Sequence, residues 1–73
     1  MIKEYSLVKS MVEKEGYPAG SIGVVVYLHR GGVAYEVEVW DFDNYPIDVV
    51  TYEADEVCEV PEDEYWKSKG GTP

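Results

Sequence analysis

"GGVAYEVEVWDFDNYPIDVV", residues 31–50, sets apolar against charged side chains from Ala34 to Val39, breaks at a polar, aromatic segment, then turns apolar again. A period of two marks a half-buried strand, because successive side chains leave the pleat on opposite faces. Tyr35, Val37 and Val39 are therefore expected to face a core, and Glu36, Glu38 and Trp40 to face away from it. Just before this strand, Gly31 and Gly32 suit a two-residue hairpin turn, since the turns that match strand twist need positive φ at their central residues.

That turn sets a register with the preceding run Ile22 to Arg30. If Arg30 pairs with Val33, then Leu28 lies opposite Tyr35, Val26 opposite Val37, and Val24 opposite Val39, all on one face. On the other face His29 meets Ala34, Tyr27 meets Glu36, Val25 meets Glu38, and Gly23 meets Trp40. A slip of one residue would destroy this agreement between the strands. The same register gives Trp40 a purely structural use, covering the bare backbone of Gly23.

Further out, Tyr5 to Lys9 reads as a short strand with Tyr5 and Leu7 on one side. Residues 6–15 also carry a weaker helical period through Leu7, Met11 and Lys14, which keeps an α+β arrangement open as the runner-up. "GYPAGSIG" (16–23) is turn chemistry: Pro18 presets its own φ, and Gly20 suits a positive φ. Asp41 to Pro46 is a connecting loop, and Ile47 to Tyr52 a fourth strand that tolerates Pro46 only at its start. Glu53 to Val57 suits a 3₁₀ turn, and Val57 to Val60 a closing strand. The reading is all-β: a small antiparallel barrel of about five strands in residues 1–60, with a 3₁₀ turn before the last strand. Residues 61–73 form a polar C-terminal tail, docked by Trp66 and frayed beyond it.

The order "AGSIGVVVYLHRGGVAYEVEVWD" (19–41) followed by "VVTYEADEV" (49–57) resembles a family of small prokaryotic proteins grouped as a domain of unknown function. The resemblance spans Glu4 to Val60 and is most specific in Ala34 to Val39 and Val49 to Thr51. That family is similar to SH3-like barrels, so the resemblance implies such a barrel. It brings no catalytic residue and no cofactor. Where the family places an acidic, glycine-containing turn between the third and fourth strands, this chain has Asn44, Tyr45 and Pro46.

Charge narrows the function. Six Lys and Arg against fifteen Asp and Glu leave a formal net charge of −9. The cations Lys3, Lys9, Lys14, Arg30, Lys67 and Lys69 are scattered along the chain, so a phosphate backbone is repelled and nucleic-acid binding is not expected. No apolar run approaches the ~20 residues of a membrane span and no secretory signal is readable. The single cysteine, Cys58, has no partner within a monomer, which suits the reducing cytoplasm.

No catalytic, cofactor or metal site is expected. His29 and Cys58 are the only residues of their types, too few for a zinc site, and Cys58 suits a short strand as a small hydrophobe better than it suits a nucleophile. Asp41, Asp43 and Asn44 have the spacing of early calcium ligands, but the glycine and glutamate that complete an EF-hand loop are missing. The aromatic content is the positive clue: seven Tyr, two Trp and one Phe exceed what so small a core buries. Tyr27 and Trp40 set among Glu36 and Glu38 offer a face that receives a cation, an arginine or a methylated lysine. The expected role is a non-catalytic, acidic protein-binding module that docks on a basic partner, in the manner of an antitoxin or inhibitor neutralising a small nuclease or toxin. Its expected contact residues are Tyr27, Glu36, Glu38, Trp40, Asp41, Asp43 and Tyr45. The alternatives are a structural or accessory domain of a larger complex, or an enzyme of uncharacterised type.

Overall fold

The computed structural model of the protein describes the backbone of residues 2–68 and the side chains of residues 2–65. The chain forms β1 (Leu7–Ser10), β2 (Ile22–Leu28), β3 (Ala34–Trp40), β4 (Pro46–Glu53), a 3₁₀ turn (Ala54–Glu56), β5 (Val57–Glu59) and a short helix α1 (Glu62–Ser68). The strands make one five-stranded sheet in the order β4-β3-β2-β1-β5, antiparallel throughout. The all-β expectation holds at this level. The ladder stays open between β4 and β5, which meet only through the 3₁₀ turn, so the element described is an open sheet rather than a closed barrel. The α+β runner-up gives way: residues 7–10 are strand, and residues 11–21 are a loop folded on a small bridge between Lys14 and Tyr17.

β1 begins later than the sequence suggests. Tyr5 has φ 70° and is 68% exposed, so it belongs to a turn, although its N–H still donates to the Val25 carbonyl at 2.6 Å. Gly31 and Gly32 take the expected positive φ, 68° and 74°, but inside a short 3₁₀ turn (Arg30–Gly32) rather than a two-residue turn, in a hairpin closed by the His29 N–H donating to the Ala34 carbonyl at 2.9 Å. Gly20 takes φ 93°, while Pro18 opens that turn by accepting from the Ser21 N–H.

The β2–β3 register follows the expected pairing for two rungs, Leu28 with Tyr35 and Tyr27 with Glu36, and then shifts. A bulge at Val26 places Val25 opposite Val37, Val24 opposite Glu38, and Gly23 opposite Val39. One extra residue on β2 inverts every face N-terminal to it. Val25, expected outward, is fully buried, and Val24 and Val26, expected inward, are half-buried. The run of three valines gives no alternation by which the sequence could signal the inversion. The pairing of Gly23 with Trp40 also falls, because Trp40 stands opposite Pro46 across a second irregularity. Gly23 is needed for a different reason: a Cβ there would collide with the Glu38 carbonyl oxygen and lie 2.7 Å from Val37 Cγ1.

The core is Val8, Val25, Tyr35, Val37, Val39, Val50, Tyr52 and Val57, drawn from all five strands. The loop between β1 and β2 is tied to the 3₁₀ turn by Lys14 Nζ and Glu56 Oε1 at 2.7 Å, an ion pair that lowers the glutamate pKa and raises the lysine pKa. After Pro61 the chain forms α1, and Tyr65 is buried, its hydroxyl donating to Asn44 Oδ1 at 2.6 Å. The expected docking by Trp66 lies outside the described side chains.

Candidate functional site

β3 presents its residues as its alternation requires: Tyr35, Val37 and Val39 are buried, and Glu36, Glu38 and Trp40 are half-buried on the outer face. At the hairpin end of this face Tyr27 is 57% exposed and meets the His29 ring edge-on, centroids 5.1 Å apart. His29 Nε2 lies 2.6 Å from Glu36 Oε2, and the Thr51 hydroxyl donates to Glu36 Oε1 at 2.8 Å. These bonds, that from His29 above all, hold the Glu36 carboxyl below the ordinary carboxylate range. Glu36 is thus engaged at both oxygens within the protein and is less available to a partner than its sequence position suggests. Glu38, midway along the strand, stands in register between Val24 and Val49. His29 and Thr51 were not among the expected site residues; the sequence pattern does not show which neighbour a strand carboxylate will meet.

At the other end of β3 the loop 41–45 is a tight turn organised by Asp41. Its Oδ1 accepts from the Asp43 N–H at 2.8 Å and the Tyr45 N–H at 3.0 Å, and its carbonyl accepts from the Asn44 N–H at 2.9 Å. Asn44 has φ 67° and takes the left-handed position, which asparagine tolerates better than most residues. The turn pushes aromatic side chains into solvent: Phe42 is 89% exposed and Tyr45 68%. Between this turn and the β1–β2 loop runs a groove of about 410 Å³, lined by Tyr17, Pro18, Ile22, Trp40, Phe42 and Tyr65 among others. Asp41 and Ile47 also line it, and no Lys, Arg or His does so among the described residues. The Tyr17 hydroxyl donates to Asp48 Oδ2 at 2.9 Å, a bond that raises the tyrosine pKa and sets the carboxylate beside the groove.

Six of the seven expected contact residues therefore fall into two groups. Tyr27 and Glu36 belong to the hairpin end, and Trp40, Asp41, Asp43 and Tyr45 to the loop end. Four strand steps separate Glu36 from Trp40, roughly 13 Å, with Glu38 between them. Tyr17, Phe42 and Tyr65 complete the loop-end group and come from three separate parts of the chain; the aromatic density of "WDFDNYP" was the available signal for Phe42.

Elsewhere the geometry gives little chemistry. Half-buried Cys58 is in register with Lys9 and lines a small groove with Ile22, Glu64 and Tyr65, a set that excludes His29. Among the described residues no three His, Cys, Asp or Glu side chains converge in the manner of a metal site, and no helix is long and apolar enough to cross a membrane. Compared with protein-family models, curated proteins and solved structures, the chain finds no match.

Proposed function

We propose that this chain is a non-catalytic, acidic protein-binding module of SH3-like barrel type that docks on a basic partner protein in the cytoplasm. The observation that carries the reading is the position of Trp40, half-buried where the Glu36–Glu38 face meets an aromatic groove that has no basic lining among the described residues. A partly buried tryptophan at the edge of an apolar groove is the kind of side chain that anchors an interface, and carboxylates around it favour cationic partners and speed encounter. The strand order β4-β3-β2-β1-β5, with a 3₁₀ turn leading into β5, supports the SH3-like assignment. The net charge of −9 supports a basic partner, and the lone Cys58 suits a reducing compartment.

An antitoxin-like or inhibitor-like role follows if that partner is a small nuclease or toxin whose cationic substrate site the acidic face covers. An accessory role in a larger complex is favoured by one different observation, the exposure of Ile47 and Val49 on β4. Salt separates the two. The test is capture from the native host with wild-type chain, Glu38→Lys and Trp40→Ala in parallel, with thermal melts as the folding control. The expected outcome is one stoichiometric basic protein, weakened by salt and by Glu38→Lys and lost with Trp40→Ala. A partner retained equally by all three variants and insensitive to salt would reject docking on this face.

A further inference from the structure

We infer that the groove between the β1–β2 loop and the turn 41–45 receives the guanidinium of a partner arginine, stacked on Trp40 and hydrogen-bonded by Asp41, with the Asp48 carboxylate adding negative charge beside it. This rests on the basic-partner reading and names the side chain that enters. The groove has the two properties such a guest needs. Its lining is mostly apolar and aromatic, with Tyr17, Pro18, Ile22, Trp40 and Phe42. Its charged rim is of one sign: Asp41 lines it, Asp48 is bonded to its Tyr17 wall at 2.9 Å, and no basic side chain lines it among the described residues. The turn draws on Asp41 Oδ1 and leaves Oδ2 to a guest.

An anion would find no cation here among the described residues, and a wholly apolar guest would bring two carboxylates against itself without compensation. A cation with a flat apolar face satisfies walls and rim together. Arginine fits better than lysine, because guanidinium is planar, weakly hydrated and able to stack on a ring while its N–H groups remain in plane for carboxylates. Lysine's ammonium would surrender more hydration for fewer directed bonds. At about 410 Å³ the groove lies toward the low end of ligand-site sizes, room for one long side chain and its flanking backbone. The chain's own arginine cannot serve: Arg30 follows β2 at its far end, whereas the groove holds Ile22 at the near end.

The probes are blocked hexa-arginine and hexa-lysine peptides, titrated into the full chain and followed by proton–nitrogen correlation spectra at low and moderate salt. Hexa-arginine is expected to shift the Trp40 indole N–H and the amides of residues 17–22 and 40–42, and to bind at least about threefold tighter than hexa-lysine. Trp40→Ala should weaken it about tenfold. Trp40→Phe and Phe42→Ala, which disturb folding least, should weaken it by smaller factors, with melting temperature as control. Equal binding of both peptides, with these variants neutral and the shifts centred on Glu36 and Glu38, would overturn the arginine site while leaving the basic-partner reading in place. No binding of either peptide at low salt would overturn both.

Discussion

Gly23 and Val25 are constrained by what β3 places against them. Gly23 has no room for a methyl group, because the Glu38 backbone and Val37 Cγ1 occupy the space where a Cβ would go. Gly23→Ala is therefore expected to cost about 2 kcal/mol or more in chemical denaturation, the scale of forced overpacking. Val25 is fully buried opposite Val37, so Val25→Asp and Val37→Asp should be equally damaging, each by several kcal/mol. A milder Val25→Asp would mean that the Val26 bulge is misplaced. Glu36 makes a different prediction. Its pKa is depressed in the folded chain by His29 and Thr51, so its ionised form contributes stability that is present above the unfolded-state pKa of about 4.3 and is lost as pH falls through the lower folded value. Glu36→Gln should flatten the acid limb of stability against pH below about 4.3, read by urea denaturation at a series of pH values.

β4 is an edge strand, and its unpaired backbone is managed by side chains. The Ala54 N–H donates to the Val33 carbonyl at 3.0 Å and the β3–β4 register is constant from Ala34 to Val39. Hence Tyr52, Val50 and Asp48 bond to β3, while Glu53, Thr51 and Val49 turn their backbone groups to the open edge. Two of those three amides are occupied: Asp48 Oδ1 accepts from Val49 N–H at 2.7 Å, and Glu56 Oε1 accepts from Glu53 N–H at 2.8 Å. Carboxylates in these positions discourage another strand from adding to the edge. Asp48→Ala frees the Val49 amide beside exposed Ile47 and Val49, and is expected to raise self-association in sedimentation velocity. Asp48→Asn, which keeps an acceptor oxygen, should associate less than Asp48→Ala. Equal monomeric behaviour in all forms would show that the cap does not protect the edge.

Over the whole molecule the charge of −9 acts as a field rather than as contacts. Lys14 is paired with Glu56, and Arg30 sits on the hairpin turn. Duplex DNA and RNA should show no retardation in gel shifts even at low salt, where screening is weakest and a concealed basic stripe would show itself. Tight binding there would reverse the reading of the electrostatics and of the partner. The acidic field and the groove are separable: raising salt should slow association with a basic partner, while loss of the Trp40 ring should mainly speed dissociation.

Much of the fold is written locally. Alternation from Ala34 to Val39 set the faces of β3, Gly31 and Gly32 marked the hairpin, and Glu53 to Val57 announced the 3₁₀ turn, because a pleat and a positive φ are properties of a few adjacent residues. The spacing of strand and turn signals anticipated a five-stranded all-β chain, although not the open ladder between β4 and β5. What the sequence could not decide depends on residues that meet only after folding. The bulge at Val26 arises where the chain must keep both its hairpin and the close approach of Gly23 to β3, and three consecutive valines are equally content on either side. Glu36 finds His29 and Thr51 from neighbouring strands, Asn44 finds Tyr65, and Tyr17 reaches Asp48 across thirty-one positions. The groove beside Trp40 belongs to this second kind of information: its walls come from the β1–β2 loop, the turn after β3 and the C-terminal helix, and tertiary packing alone brings them together.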